Sequence, residues 1–215
     1  MPTGRPYNMA TTPKGVVILA NGEFPVHPIP LSFIENAGTL ICTDGAADQL
    51  LTHDKYPDIV IGDMDSLKSD LPGGIEIVHV LEQKNTDLDK AINYCIKNKI
   101  KNVTVVGATG LRDDHHFAHL LLLAYYAGKI QITIVTDRYT ITASRGKNSF
   151  LSFKGQIVSI FSLSNTSITS ENLKYSMDNH RIDNPSEGIS NKSLGSSFSL
   201  NSSNVLIVMQ SHEAL

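Results

Sequence analysis

The chain has 215 residues, of which 41% are hydrophobic and 18% are charged, a composition typical of a folded globular protein rather than a disordered one. Its net charge is −3, but residues 44–91 contain eleven acidic and four basic residues, and so acidic a segment repels a nucleic-acid backbone. No apolar run approaches the roughly 20 residues that span a bilayer, and residues 1–14 lack the apolar core of a signal peptide. We therefore expect a cytoplasmic protein that binds neither nucleic acid nor membrane, with a loose tail at residues 1–14.

Short β-branched runs separated by helical patterns make up the first part of the chain. Strands are predicted at residues 16–20, 39–43, 59–61, 75–80, 103–106 and 132–135. Strands that alternate with helices along a chain indicate an α/β domain with an open, mostly parallel sheet. We assign this N-terminal α/β domain to residues 15–136.

Two helices are predicted between these strands. In the first, apolar residues at positions 88, 91, 92, 95 and 96 fall on one face, and Asn85 is placed to cap its start. The second covers residues 114–127 and stops at Gly128. Cys95 lies on the apolar face of the first helix and Cys42 lies on a strand, so we expect two buried, reduced thiols rather than a disulfide.

The composition of the chain changes after about residue 136. Serine, asparagine, threonine and glycine become frequent, and short alternating runs at residues 149–153, 156–161 and 205–209 predict strands. The Ser/Asn-rich stretch 186–204 contains interspersed apolar residues and is interpreted as loops between strands. This pattern predicts a small, all-β C-terminal sandwich domain over residues 137–215.

Polar motifs follow four of the predicted strands in the first domain. They are Asn21-Gly22, Asp44-Gly45, Gly62-Asp63-Met64-Asp65-Ser66 and the stretch from Gly107 to His115. In an open parallel sheet, the carboxyl ends of the strands line one crevice, which is where such folds bind ligands. We therefore expect the four motifs to converge on one site, together with residues 83–90 after the fourth strand.

The aspartates of this crevice suit a hard cation. Asp63 and Asp65 can both face one ion if the chain turns after the strand, and oxygen ligands of this kind suit Mg²⁺ that is bridged to substrate phosphates. The alternative for these two residues is a plain polar turn. Asp87 and Asp89 fall in the first turn of a predicted helix, where they also complement the helix dipole, and we assign no further role to Asp89.

The stretch that follows the fifth strand has features of a phosphate site. Its backbone from Gly107 to Gly110 leads into a helix and can present N–H groups to a phosphate, with the guanidinium of Arg112 alongside. It lacks the Gly-Lys-Ser/Thr of a Walker loop and does not match the dinucleotide fingerprint. His115 and His119 lie four residues apart and are interpreted as a solvated or hydrogen-bonded pair, so we assign no zinc.

Taken in order, these motifs resemble those of the thiamine pyrophosphokinase family. The matching segments are Asp44-Gly-Ala, Gly62 to Ser66, Gln83-Lys-Asn-Thr-Asp87 with Lys90, and Gly107-x-x-Gly-x-Arg112-x-Asp114-His115. In the second domain, Asn172-Leu-Lys-Tyr175 resembles the family's Gly-Leu-Lys-Tyr/Trp element, and Gly188-Ile-Ser190-Asn191 resembles its Ser-Asn element. The chain departs from the family in having Asn172 in place of glycine and in having no tryptophan.

The resemblance implies a thiamine diphosphokinase that moves the diphosphate of ATP to thiamine, with Mg²⁺ as cofactor. It also implies a homodimer whose thiamine sites lie between the subunits. The residues assigned to catalysis are Asp63, Asp65, Asp87 and Arg112, and those assigned to the metal are Asp44, Asp63 and Asp65. Those assigned to ATP are Asn21, Gly22, Asp44, Arg112, Asp114 and His115, and those assigned to thiamine are Gln83, Asp87, Ser190 and Asn191.

Two other functions fit parts of the sequence. Asp114-His115-His116, together with Asp63 and Asp65, resembles the Asp-His-His phosphoesterases, which hydrolyse phosphate esters with manganese. The further metal-binding residues and the Gly-rich C-terminal module of that family are not evident here. A non-catalytic sensor of thiamine or a nucleotide needs the pocket but not so many convergent aspartates. Formation of AMP from ATP that depends on thiamine separates the kinase from both alternatives.

Overall fold

The computed structural model of the protein describes residues 15–214, so the tail expected at residues 1–14 lies outside the described part. The chain divides into two compact units. The α/β unit contains residues 15–122 and 128–137, and the β unit contains residues 123–127 and 138–214. Across residues 15–214, no helix is both long enough and apolar enough to cross a membrane.

Within the described residues, six strands form the sheet of the α/β unit. They are β1 (Val16–Leu19), β2 (Thr39–Thr43), β3 (Ile59–Gly62), β4 (Glu76–His79), β5 (Asn102–Val106) and β6 (Gln131–Val135). Their order is β6-β5-β1-β2-β3-β4, and every neighbouring pair is parallel. The six predicted strands and the α/β class are confirmed. Because β2 lies on one side of β1 and β5 on the other, a topological switch point falls between β1 and β5.

Four α-helices occur in the described residues. They are α1 (Pro28–Glu35), α2 (Asp44–Leu51), α3 (Asp87–Lys97) and α4 (Asp113–Tyr126). Both predicted helices are confirmed as α3 and α4, and Gly128, just beyond α4, has a φ of 89° that suits a left-handed stop. The prediction of Asn85 as the cap of α3 is wrong, because Thr86 accepts the hydrogen bond from the N–H of Asp89. No prediction anticipated α1 or α2.

The core of the α/β unit explains why its central strands β1, β2 and β3 are mostly apolar. Val17 and Leu19 of β1 pack with Leu50 of α2, and α3 packs on β2 and β3. A parallel sheet that is covered by helices needs apolar residues on both faces. The predicted buried thiols are confirmed, since Cys42 and Cys95 are both free and buried, and burial raises the pKa of Cys95 to about 11.

The β unit is a β sandwich built around two long strands that pair with each other. Its strands are β7 (Tyr139–Leu151), β8 (Ile157–Ser162), β9 (Ser167–Glu171), β10 (His180–Arg181), β11 (Asn191–Lys192) and β12 (Ser197–Ser211). β12 pairs with β7 along its length, with β9 through its first half and with β8 through its second half. Phe198 and Leu200 from the first half share one buried core with Leu206 and Val208 from the second. The all-β class of this part of the chain is confirmed.

The Ser/Asn-rich stretch 186–204 is only partly a loop region. Its interpretation as loops is wrong for residues 191–192, which form β11, and for residues 197–204, which form the first half of β12. Phe198 and Leu200 are buried while the serines that alternate with them are more exposed, so this short segment has the two-residue period of a strand. The strand changes partner at an irregularity between Ser202 and Leu206, as expected for a β-bulge.

Candidate active site

The loops after β1 and β5 run side by side at the switch point of the sheet. The N–H of Gly22 donates to the carbonyl of Gly107 at 2.8 Å. A Cβ on Gly22 would lie 2.4 Å from that carbonyl oxygen, so only glycine permits the approach. Asn21 lies close over Gly45, where a Cβ would be 2.2 Å from the amide nitrogen of Asn21. Three predicted motifs, those that follow β1, β2 and β5, are thus brought together through glycines.

Asp44 begins α2 directly after β2 and is buried at the end of the sheet. Its carboxylate accepts hydrogen bonds from the N–H groups of Gly45 (2.6 Å) and Ser66 (3.4 Å). Gly62 of β3 lies against it, since a Cβ there would be 2.9 Å from the Cβ of Asp44. Burial raises the pKa of Asp44, and nearby carboxylates add to the increase, while the two backbone hydrogen bonds oppose it.

Asp63 and Asp65 flank a residue with a left-handed backbone. Met64 has a φ of 66°, which turns the chain between the two aspartates. Within residues 15–214, the one group of three possible metal-binding side chains is Asp44, Asp63 and Asp65, whose oxygens lie within 4.8 Å of one another. Desolvation would raise the pKa of Asp63, but hydrogen bonding with Asp65 and the charge of Lys90 outweigh it and lower the pKa.

A buried lysine links α3 to this acidic group. The ammonium of Lys90 donates to Oδ1 of Asp87 at 2.7 Å and lies 3.9 Å from Oδ2 of Asp63. Only 5% of the Lys90 side chain is exposed. Burial alone would lower the pKa of Lys90, but the bond to Asp87 and the neighbouring carboxylates raise it. Lys90 is therefore a fixed cation between two carboxylates.

Arg112 and Asp114 form an exposed ion pair at the start of α4. The loop after β5 reaches them through Gly110 and Leu111, which both have positive φ. Two guanidinium nitrogens of Arg112 lie 3.1 Å and 2.6 Å from the two carboxylate oxygens of Asp114. This bidentate bond from Arg112 lowers the pKa of Asp114 to about 2. Asp114 therefore orients the guanidinium.

His119 is buried beneath the same loop. Its Nδ1 lies 2.8 Å from the carbonyl oxygen of Ala108. Because a carbonyl only accepts, Nδ1 carries the hydrogen in this contact. Burial lowers the pKa of His119, and its ring meets that of His115 edge to face, with the centroids 5.8 Å apart. His119 therefore supports the loop as a neutral hydrogen-bond donor.

These elements surround a cavity of about 610 Å³ in the α/β unit. The predicted residues that line it are Asn21, Gly22, Asp63, Asp65, Gln83, Asp87, Arg112 and His115. Asp44 lies within reach of Asp63 and Asp65, and Asp114 pairs with Arg112. The cavity volume is in the range of small-molecule sites. The structure therefore brings the candidate residues of the first domain together, while their individual roles stay predictions.

Lys90 and Thr43 are among the lining residues that had no predicted role. Lys90 lies three residues after Asp87, among the buried apolar positions of α3. A charged residue at such a position indicates a buried ion pair, so the sequence contained a signal for it. Thr43 ends β2, and its hydroxyl is buried without a hydrogen-bond partner in the described part of the chain. Nothing in the local pattern around Thr43 distinguishes it from an ordinary strand residue.

Ser190 and Asn191 belong to the β unit, near the turn that starts at Asn172. Ser190 is exposed and has a φ of 60°, whereas Asn191 is buried. Asn172 also has a φ of 60°, a left-handed conformation that glycine adopts freely and asparagine tolerates. The departure from the family's glycine at this position is therefore compatible with the backbone. Tyr175, at the end of the turn, is 60% exposed.

The fold and the cavity define a ligand-binding protein of the α/β class, with an acidic, cation-suited site at the switch point and a β sandwich later in the chain. The "Thiamin pyrophosphokinase, catalytic domain" family matches residues 31–135, and the "Thiamin pyrophosphokinase, substrate-binding domain" family matches residues 140–209. The chain belongs to the thiamin pyrophosphokinase family. This match does not favour the phosphoesterase or the sensor.

Individual relatives agree with this assignment. Thiamin pyrophosphokinase 1 of Caenorhabditis elegans is 26% identical over 156 residues, which cover 65% of this chain and 64% of that protein, just under two thirds of its length. The structure of thiamine pyrophosphokinase from Bacillus subtilis superposes with a TM-score of 0.80 at 22% identity, covering 92% of this chain and 99% of that one. Thiamin pyrophosphokinase from Candida albicans gives a TM-score of 0.76 at 18% identity, covering 92% and 89%. At these identities the solved structures show the shared fold.

Proposed function

We propose that this chain transfers the diphosphate group of ATP to the hydroxyl of thiamine, with thiamine diphosphate and AMP as products. The observation that carries the proposal is the acidic cavity at the switch point, in a chain that matches both domains of the family. In this proposal the domain of residues 15–136 handles ATP and the metal. The domain of residues 137–215 handles thiamine.

Magnesium is the proposed cofactor, and the donor set fits it. Asp44, Asp63 and Asp65 offer hard oxygen ligands within 4.8 Å of one another. Burial raises the pKa of Asp44, and a bound cation would favour its ionised form. When bound, the ion supplies charge neutralisation for the phosphates of ATP.

Most of the residues proposed for ATP lie in the loops after β1 and β5 or just beyond them. Asn21 and Gly22, which follow β1, and Arg112 and His115, which follow β5, all line the cavity. The planar fork of a guanidinium suits phosphate oxygens, so Arg112 is proposed to bind them. The bidentate bond that Arg112 donates to Asp114 supports this role, because it limits the directions in which Arg112 can point.

The proposed reaction is a displacement at the β-phosphorus of ATP. The hydroxyl oxygen of thiamine forms the new bond to phosphorus, the bond from that phosphorus to the oxygen shared with the α-phosphate breaks, and AMP leaves with this oxygen. Asp87 is proposed to accept the hydroxyl proton, since it lines the cavity and Lys90 holds one of its oxygens. Gln83 lines the same cavity and is proposed to contact thiamine.

The proposal also covers the oligomeric state of the protein, its location in the cell and the thiamine-binding residues of the second domain. A homodimer with thiamine sites between subunits is supported by Phe117 and Leu121, which are 65% and 38% exposed one turn apart on α4 and form an apolar face of the kind that interfaces cover. A cytoplasmic location is supported by Cys42 and Cys95, which are both free. Ser190 and Asn191 are proposed to serve thiamine binding from the second domain.

The deciding experiment is incubation of the purified protein with ATP, Mg²⁺ and thiamine, followed by chromatography of the products. The proposal expects AMP and thiamine diphosphate in equal amounts, and no AMP when thiamine is omitted. Release of phosphate from esters with Mn²⁺ but no thiamine diphosphate would instead identify a phosphoesterase. Binding of thiamine without any AMP would identify a sensor.

A further inference from the structure

Both main-chain polar groups of Tyr175 are held by one side chain that lies 16 residues away in the sequence. The carboxamide oxygen of Asn191 accepts from the N–H of Tyr175 at 3.0 Å, and its nitrogen donates to the carbonyl of Tyr175 at 2.7 Å. The same oxygen accepts from the N–H of Lys192 at 2.8 Å. Asn191 is only 2% exposed, so its amide faces the protein rather than solvent.

The turn that contains Tyr175 depends on such contacts because it is not part of a regular strand. Asn172, with its left-handed backbone, accepts from the N–H of Leu194 at 2.9 Å, and the N–H of Lys174 donates to the carbonyl of Lys192 at 2.8 Å. Beyond these bonds, the amide of Asn191 is the group that fixes the end of the turn. The ring of Tyr175 is nevertheless 60% exposed. Its backbone is held while its aromatic surface faces outward.

We propose that Asn191 is a positioning residue, which acts on thiamine through Tyr175 and not by touching the vitamin. This inference rests on the proposed function. Ser190 lies in the turn just before β11 and is exposed, while Asn191, the first residue of β11, is buried. The exposed members of this region, Ser190 and the Tyr175 ring, present a hydroxyl and an aromatic surface to a ligand, and Asn191 sets where the ring lies.

We call the two hydrogen bonds between the Asn191 amide and the main chain of Tyr175 the clamp. It is tested first by an experiment that does not measure activity. Hydrogen exchange followed by NMR on the intact protein reports the amide of Tyr175, which donates to Asn191. In Asn191→Ala this amide should exchange at least about tenfold faster, since its acceptor is gone. Asn148→Ala is the matched control: Asn148 also donates its amide to main-chain carbonyls, those of Arg145 and Gly146, and its loss should leave Tyr175 unaffected. Unchanged exchange in Asn191→Ala overturns the clamp.

The link to thiamine is tested by a double-mutant cycle with Tyr175→Ala. Each single variant should raise the thiamine KM by about tenfold, with kcat and the KM for ATP nearly unchanged. If Asn191 acts through Tyr175, the double variant should be no worse than the poorer single variant. Direct contact predicts instead that the two factors multiply, to about a hundredfold, and that outcome overturns the inference. No change in the KM of Asn191→Ala also overturns it.

A second substitution covers poor folding of the alanine variant. Asn191→Asp keeps the size of the side chain and its accepting oxygen but loses the bond donated to Tyr175. It should give a smaller increase in thiamine KM that again disappears in the Tyr175→Ala background, and an increase that persists there contradicts the inference. The proposed function fails separately, if the wild-type protein makes no AMP in the presence of thiamine. In that case the exchange experiment still decides whether Asn191 clamps Tyr175.

Discussion

The two units hold their candidate site residues by different means. In the α/β unit, carboxylates gather around the buried Lys90, and the pKa is raised for Asp44, chiefly by burial, but lowered for Asp63, where hydrogen bonds and Lys90 outweigh desolvation. In the β unit, neutral side chains are used, and Asn191 holds a stretch of backbone by hydrogen bonds. The first arrangement depends on charge and the second on backbone position. We therefore expect substitutions in the first to change the reaction rate, and those in the second to change stability or thiamine binding.

The largest expected effect tests the charge-dependent half of this comparison. Asp65→Asn should lower turnover at least about a hundredfold, because a neutral amide is a poor ligand for Mg²⁺ and charge stabilisation in the transition state is lost. The fold should be unchanged, since Asp65 is exposed. Rates are measured at saturating ATP and thiamine, with circular dichroism as the check on folding.

The control for this variant is Asp54→Asn, which removes an exposed carboxylate from a turn of the same unit. Asp54 has a φ of 54°, a conformation that asparagine accepts, so this change should leave turnover within about twofold of wild type. Near wild-type activity in a folded Asp65→Asn protein would contradict the assignment of Asp65 to the metal. An equal loss in both variants would point to a general effect of charge.

The next effect tests whether backbone position governs the β unit. A Cβ on Gly188 would lie 1.9 Å from the carbonyl oxygen of Ile160 in β8, so Gly188→Ala forces the backbone apart. Gly155 has a φ of 87° but open space around it, so Gly155→Ala carries the cost of conformation alone, about 1 kcal/mol. We expect Gly188→Ala to be about 2 kcal/mol less stable than Gly155→Ala in urea unfolding. Equal stability of the two variants would show that the approach to β8 is easily relaxed.

A smaller effect tests the cation that joins the carboxylates. Lys90→Met keeps the length of an apolar stem but removes the charge between Asp87 and Asp63, so the two carboxylates lose their common partner. We expect kcat to fall about tenfold, with less than about a threefold change in either KM, because Asp87 is no longer held in place.

The matched control is Lys97→Met, at the exposed end of the same helix, which should leave kcat unchanged. A rise in thiamine KM at constant kcat in Lys90→Met would mean that Lys90 serves binding. It would also weaken the contrast between the two units.

The parts of the molecule that could be predicted are those in which local pattern and topology act together. Six short strands and the rule that ligands lie at their carboxyl ends were enough to predict that Asp63 and Asp87 lie at one cavity. The helix α2 was missed because Asp44-Gly45 has the composition of a turn, and only packing beneath the sheet makes it helical. The partnership of Asn191 and Tyr175 was out of reach, since it depends on the strand register of the β unit.

The smallest expected effect concerns the pH dependence of stability, and it uses two aspartates of one helix. Burial is the main cause of the raised pKa of Asp44. A carboxyl group with a raised pKa in the folded state stabilises the protein at low pH and loses that contribution as the pH rises through the folded pKa. Asp48 is the opposite case, because hydrogen bonds from Lys68 and Ser69 outweigh desolvation and lower its pKa. Its contribution is present above the unfolded pKa and is lost as the pH falls.

The two substitutions should therefore respond to pH with opposite signs. Without metal, Asp44→Asn should gain about 3 °C in Tm relative to wild type between pH 4.5 and pH 7.5, since the amide avoids a buried charge and still accepts from Gly45. Asp48→Asn should show almost no such change over that interval, which lies above the unfolded pKa, but should lose a similar amount relative to wild type between pH 2.5 and pH 4.5. Scanning calorimetry at the three pH values gives the two differences, and Mg²⁺ at pH 7.5 should raise the Tm of wild type more than that of Asp44→Asn. If the Tm differences of both variants from wild type change in the same direction with rising pH, burial does not control the ionisation of Asp44. The difference between a charge-dependent α/β unit and a β unit that depends on backbone position would then lack its most direct support.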